Sequence, residues 1–291
     1  MKPAPFTYHD PRSTAEAIDT LATLENARVL AGGQSLMPMM NFRFAMPDHL
    51  VDINKIEELA FLRVENDTLR CGAMTRQRDL ELSTEVGECC PVLHEALGHV
   101  GHRQTRNRGT IGGSLCHLDP SAELLNVAML LGASVHAVSK RGTRDIAIAE
   151  LPAGYMSTSL EPDELLSAVS LPLPARDEAH AFVEFARRHG DFAIVACSAL
   201  VRLGRAGDIA SARLAISGLT HAPVRPLALE RALAGQKPTG ATLKAAAAEV
   251  TKLEAVADAY VTAEYRRHLA RVLTFRALER AAMRAQEKLH A

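Results

Sequence analysis

Two short segments carry the residue types that could hold a charged ligand: Ala31-Gly32-Gly33-Gln34-Ser35-Leu36 and Thr110-Ile111-Gly112-Gly113-Ser114-Leu115, with Gly32 and Gly112 80 positions apart. Paired glycines lack Cβ atoms, so backbone amides can approach and enclose an anion, and each pair has a hydroxyl beside it. A single Gly-Gly is more often only a tight turn. Two of them, each flanked by a serine, predict a cleft built from two loops around a phosphate-bearing ligand.

The standard phosphate and metal motifs are missing. No G-x-G-x-x-G occurs, and Gly235-Gln236-Lys237-Pro238-Thr239-Gly240-Ala241-Thr242 places Ala241 where a P-loop needs lysine. His94 and His99 are i and i+5, roughly 140° apart around a helix, which is wrong for a zincin pair. Gly33-Gln34-Ser35-Leu36-Met37 lacks the second glycine of a nucleophile elbow. The five cysteines (Cys71, Cys89, Cys90, Cys116, Cys197) include no C-x-x-C, so neither a disulfide framework nor a self-contained zinc or iron–sulfur site is expected. No catalytic residue and no metal ligand is assigned.

The elements that must position the loops follow from the patterning. Ser13 can cap a first helix at the amide of Glu16, with Ile18, Leu21 and Leu24 on its apolar face. Arg28-Val29-Leu30 reads as a strand feeding the first glycine pair, and His49 to Ile53 as the next strand. Hairpins are predicted around Glu65-Asn66-Asp67 and Lys140-Arg141-Gly142-Thr143, and helices over 91–100 and 121–131. Leu171-Pro172-Leu173-Pro174 and the charges after it read as a linker, which puts a domain boundary near residue 176. Beyond it, strands over 196–203 and 209–219 and helical segments over 242–257 and 262–288 predict a small sheet with helices packed on it. The arginines of the last helix, Arg266, Arg267, Arg271, Arg276, Arg280 and Arg284, read as a solvated face or a subunit-docking surface.

The chain of 291 residues suits two or three units, each with its own core. With 47% hydrophobic residues, 23% charged residues and a net charge of -1, it is neither a nucleic-acid polycation nor an acidic tail, so no nucleic-acid partner is expected. No segment has the length of a signal-peptide core or of a spanning helix, and a cytoplasmic location without a membrane span is expected.

The two glycine segments, together with Pro38, Asn107-Arg108-Gly109, Asp119-Pro120-Ser121-Ala122-Glu123, Asp163-Glu164-Leu165-Leu166, Ala186-Arg187-Arg188-His189-Gly190-Asp191-Phe192-Ala193 and Tyr265-Arg266-Arg267-His268-Leu269, resemble the FAD-binding medium subunit of molybdenum hydroxylases, the carbon monoxide dehydrogenase and xanthine dehydrogenase group. The likeness runs in order along nearly the whole chain. It implies an α+β fold: a p-cresol methylhydroxylase-type FAD-binding domain over 1–176, in subdomains of about 1–55 and 56–176, then a smaller C-terminal α+β domain over 177–291. It implies that Ala31, Gly32, Gly33, Gln34, Ser35 and Leu36, with Thr110, Gly113 and Ser114, line the diphosphate and ribitol of FAD. By the same resemblance Glu123 holds a ribose or adenosine hydroxyl, Val100 and Gly101 lie near the isoalloxazine, and Leu166 lies at the adenine or flavin edge. Some relatives have a lysine near Glu184 that helps place the flavin; this chain has Val183-Glu184.

The implied function is electron transfer. A large subunit with a molybdenum cofactor oxidises the substrate, two [2Fe-2S] clusters in a small subunit relay electrons, and FAD in this chain passes them to an external acceptor. The cysteine spacing supplies no cluster here, so the chain is expected in a heterotrimer, itself doubled. Two other readings are kept: a stand-alone FAD-dependent oxidase, and a cofactor-free binding module that retained the fold. The four intact glycines speak against the second, since glycine weakens ordinary structure.

Overall fold

The computed structural model describes residues 1–290. The chain opens β1 (Thr7–His9), α1 (Thr14–Leu21), β2 (Ala27–Leu30), α2 (Leu36–Asn41) and β3 (His49–Asp52). A hairpin of β4 (Leu62–Glu65) and β5 (Thr68–Gly72) precedes six helices: α3 (Gln77–Leu82), α4 (Thr84–Cys89), α5 (Pro91–Leu97), α6 (Arg103–Arg108), α7 (Ile111–His117) and α8 (Glu123–Leu131). Strands β6 (Ser134–Ser139), β7 (Gly142–Ala147), β8 (Pro152–Gly154), β9 (Ser157–Thr158) and β10 (Leu165–Pro172) follow. The last stretch holds β11 (Ala179–Phe185), β12 (Val195–Leu203), β13 (Ile209–Ser217), α9 (Leu227–Leu233), α10 (Gly240–Glu249) and α11 (Ala263–His290). None of the described helices is long and apolar enough to cross a membrane.

Contacts divide the chain into two interleaved units. One comprises 1–83, 102–118 and 133–172, and the other 84–101, 119–132 and 173 onward. In the first unit, β1, β3 and β2 form a parallel sheet in that order. Parallel pairing needs crossovers, which α1 and α2 provide. Ser13 caps α1 by accepting from the amide of Glu16 at 3.2 Å, and Glu16 reaches back to the amide of Arg12 rather than to that of Ser13. Leu21 is buried, with Ile18 and Leu24 against the same cluster as Val51, Ile53 and Leu165.

The second sheet of this unit is antiparallel in the order β4-β5-β10-β6-β7. Its central strand, β10, ends where the sequence predicts a linker. Leu171 pairs with Leu69 and is buried, and Pro172 pairs with Thr68 at the strand end, where a missing N–H is tolerated. The extended segment that alternating prolines impose is therefore in part a sheet strand.

The other unit is built on the antiparallel sheet β11-β12-β13. The patterning predicts the last two strands and leaves β11 unassigned. Successive residues of β12 face opposite ways. Cys197 meets Thr274 of α11 at 3.7 Å, and the Ser198 hydroxyl donates to Asn126 of α8, so the sheet carries a helix on each face. Asn126 also donates to the Ala215 carbonyl at 3.2 Å and contacts Ser217 at 3.1 Å. This satisfies a fully buried amide.

Four of the C-terminal arginines bond within the chain. Arg266 is buried and donates to the carbonyls of Ile194 at 2.7 Å and Gly218 at 2.8 Å, besides pairing with Asp258. Arg284 grips the Glu95 carboxylate through both terminal nitrogens at 3.1 Å. Arg280 reaches Glu95 at 3.6 Å, and Arg267 the Leu253 carbonyl at 3.3 Å. Arg271 and Arg276 are exposed, as a solvated face requires. Charge-assisted bonds to buried carbonyls each contribute about 1.5–3 kcal/mol. Arg266→Ala is expected to destabilise the chain by about 3 kcal/mol in thermal or urea unfolding, whereas Arg271→Ala should stay within about 0.5 kcal/mol of wild type.

Candidate functional site

The first glycine segment leaves the carboxyl end of β2, the edge at which parallel sheets bind ligands. Gly33 has φ +73°, a left-handed conformation that glycine adopts freely and that turns the chain into α2. Gln34 closes the turn by donating to the Gly32 carbonyl at 3.2 Å. Ser35, at the N-cap of α2, makes no capping bond, so its hydroxyl is open to a ligand. Among the described residues, the backbone amides from Ala31 to Leu36 donate to no protein acceptor. Leu30, Ala31, Gly32, Gly33 and Gln34 line a cleft of about 400 Å³ with Met37, Pro38, Asn41 and Arg108.

The second glycine pair is a helix start rather than a loop. Thr110 caps α7 by accepting from the Gly113 amide at 3.1 Å. Ile111 and Gly112 donate to the carbonyls of Thr75 (3.1 Å) and Ala73 (2.9 Å), and Ser114 to Thr110 (3.1 Å). All four amides are engaged within the protein, so this pair acts through close approach. A Cβ on Gly112 would lie 2.6 Å from Ala73 Cβ, and one on Gly113 3.4 Å from Ala31 Cβ. A Cβ on Gly32 would lie 2.2 Å from the Arg108 carbonyl oxygen. Side chains at Gly32 and Gly112 would force the backbone away from Arg108 and Ala73, whereas Gly113 has room for ordinary contact with Ala31.

Val100, Gly101 and Glu123 fall in the other unit, and Leu166 lies in β10 at a register shift of the ladder. Val100 is nearly buried, and Gly101 has φ +46°. Glu123 opens α8 at 5% exposure. Burial pushes its carboxyl up to about 8, and the nearby carboxylates of Glu184 and Asp119 add to the rise. His99 accompanies it: its Nδ1 lies 3.2 Å from Glu184, and this bond raises the imidazole pKa. The other oxygen of Glu184 is buried with no hydrogen-bond partner. Glu184 is thus a carboxylate facing a histidine.

Besides Arg108, which lines the cleft, two polar side chains that the sequence reading did not single out bond to its backbone surroundings: Asn54 to the Ala31 carbonyl and Arg76 to the Arg108 carbonyl. Arg108 sits inside the Asn107-Arg108-Gly109-Thr110 segment and lines the cleft. Asn54 follows β3 in an Asp-x-Asn turn, its amide donating to Asp52 at 2.8 Å. Its local signal was therefore legible, although its partners across the fold were not. Open amides, a guanidinium and a backbone surface without Cβ atoms suit a diphosphate. Among the described residues, no group of three or more His, Cys, Asp or Glu stands where a metal could be held.

An anion cradle at the carboxyl end of a parallel sheet, within an α+β chain, defines a nucleotide-cofactor-binding protein. The chain belongs to the family of FAD-binding subunits of molybdopterin dehydrogenases: residues 4–174 match the FAD binding domain in molybdopterin dehydrogenase, and residues 180–281 the CO dehydrogenase flavoprotein C-terminal domain. It is 41% identical to the caffeine dehydrogenase subunit beta of Pseudomonas sp. (strain CBB1), over 98% of this chain and 97% of that one. It is 34% identical to the carbon monoxide dehydrogenase medium chain of Afipia carboxidovorans, over 98% and 100%. Among solved structures, quinoline 2-oxidoreductase from Pseudomonas putida 86 superposes with a TM-score of 0.94 at 35% identity, covering 98% of this chain and 99% of that one. The chain is the flavoprotein component of a multi-subunit molybdenum-dependent oxidoreductase.

Glu123 carries a pH signature of its own. The folded chain holds the carboxyl proton up to about pH 8, whereas an unfolded glutamate releases it near 4.5, so stability falls as pH rises through that window. Glu123→Gln cannot ionise. The melting temperature of the variant should rise relative to wild type between about pH 5 and about pH 9, by roughly 2–4 °C for each kcal/mol relieved. Parallel profiles would show that Glu123 is already ionised at neutral pH.

Proposed function

We propose that this chain carries FAD between the iron–sulfur clusters of a small subunit and an external electron acceptor, in a complex whose large subunit holds the molybdenum cofactor. The observation that carries the reading is the wall of open amides from Ala31 to Leu36 beside Arg108, closed by the contact of Gly32 with the Arg108 carbonyl. FAD, when bound, supplies the conversion between one-electron and two-electron chemistry. The protein's part is to bind and orient it. The loop amides and Arg108 take the diphosphate, with Thr110, Gly113 and Ser114 along the ribitol side. Glu123 holds a sugar hydroxyl, Val100 and Gly101 approach the ring system, and Leu166 packs at its edge. A protonated Glu123 can donate to an oxygen as well as accept, which suits a hydroxyl partner.

The assembly we infer is a heterotrimer, present as a dimer of heterotrimers, with the FAD-binding part over 1–176 and the C-terminal domain over 177–291. None of the five cysteines forms a disulfide, and three of them are fully buried, which supports a reducing compartment and hence the cytoplasm. The substrate is set by the large subunit. Consistent with this, a carbon monoxide dehydrogenase medium chain and a nicotine 6-hydroxylase medium subunit are each 34% identical to this chain.

The test is acid release of the chromophore from the chain purified with its native partners. Equimolar FAD is expected, beside iron–sulfur absorption in the other subunits. A colourless chain that also fails to take up added FAD would contradict the reading.

A further inference from the structure

Arg76 stands between the two glycine segments and reaches both. Its backbone pairs with Thr110 in an isolated antiparallel bridge. Its Nη1 donates to the Arg108 carbonyl at 2.5 Å and its Nη2 to Asn54 Oδ1 at 2.7 Å. Asn54 in turn donates through Nδ2 to the Ala31 carbonyl at 2.7 Å and to Asp52 at 2.6 Å. Asp52 is held from its far side by the Tyr8 hydroxyl at 2.7 Å. A continuous path of hydrogen bonds therefore runs from the first residue of the amide wall, through Asn54 and Arg76, to the carbonyl that precedes the second segment.

That carbonyl is the one Gly32 packs against. The Gly32 contact sets how closely the two backbones can approach, and the Asn54–Arg76 bonds stop them from drifting apart. The electrostatics point the same way. Arg76 is half-buried, and burial first, then the neighbouring Arg108 guanidinium, lowers its pKa. Arg108 is exposed, lines the cleft and makes no salt bridge among the described residues. Arg108 and a row of open amides share one cleft, and an anion there would offset the repulsion between the two guanidiniums.

We propose that Arg76 and Asn54 are positioning residues for the cofactor diphosphate, fixing the spacing of the two glycine segments and with it the aim of Arg108, which supplies the counter-charge. The proposal rests on the FAD reading above and goes beyond it by assigning binding energy to three side chains outside the glycine motifs. A planar guanidinium suits the task because its fork reaches two acceptors at once, the Arg108 carbonyl just before the second segment and the Asn54 carboxamide that is bonded to the first. An ammonium in its place can satisfy only one of them well.

The experiment is equilibrium titration of FAD, ADP and riboflavin into the deflavinated full chain. ADP carries the diphosphate without the flavin, and riboflavin the flavin without the diphosphate. Arg108→Ala should weaken FAD and ADP binding by roughly tenfold to a hundredfold and leave riboflavin unchanged, with Arg108→Lys recovering most of the loss. Arg76→Ala and Asn54→Ala should each weaken FAD and ADP by a similar factor, Arg76→Lys should not recover it, and the double variant should be little worse than either single one. Variants that melt at lower temperature yet bind FAD and ADP as wild type does would make the brace merely structural and overturn the proposal. Equal losses for riboflavin and ADP would do the same. Where Arg76→Ala does not fold, Arg76→Lys decides: wild-type affinity in that variant sinks the idea. Wild-type chain that binds no FAD would overturn the FAD reading and this proposal together, whereas wild-type binding with unchanged variants would overturn this proposal alone.

Discussion

The wall formed by the first glycine segment depends on one close approach, that of Gly32 to the carbonyl of Arg108. The space is so narrow that a single methyl group would sit 2.2 Å from the oxygen. This contact brings the turn after a parallel strand against the end of α6, just before α7 begins, although Gly32 and Arg108 are 76 positions apart in the chain. The approach also explains the division of labour between the segments. The first supplies amides that have no partner in the protein, and the second supplies a rigid, fully bonded floor against which those amides are held.

Such a wall is expensive in isolation, because open amides and clustered guanidiniums are poorly compensated. It persists because the surroundings over-determine it. The parallel sheet fixes where β2 and β3 end, the Asp52–Asn54 turn fixes a carboxamide beside Ala31, and Arg76 ties that carboxamide to the second segment. In the other unit, the sheet held between α8 and α11 fixes Glu123 at the start of a helix whose Asn126 is bonded to two strands. There the polar groups are anchored by burial and partner choice rather than by a glycine turn.

Much of this was legible in the sequence for local reasons. The first glycine pair follows a strand and breaks its pattern, the Ser13 cap and both hairpins have short-range signals, and the long last helix has an apolar periodicity. The misreadings were non-local. Thr110 to Gly113 is a helix start, but two glycines mask it, because their poor helix propensity is outweighed only by the packing of Gly112 on Ala73. The strand ending at Pro172 looked like a linker because its pairing with β5, about a hundred residues earlier, leaves no mark in the segment itself. Arg266 looked like part of a solvated face because the carbonyls it bonds belong to Ile194 and Gly218, distant in sequence. The Arg76–Asn54 brace was invisible for the same reason.

The most direct measurement of the central claim is hydrogen exchange at residue resolution on the full chain, with and without FAD. The amides of 31–36 have no protein acceptor, so they should exchange fast in the cofactor-free chain and slow by roughly tenfold or more when FAD is bound, while those of 111–114, already bonded, change much less. Fast exchange at 31–36 in a chain fully loaded with FAD would contradict the account.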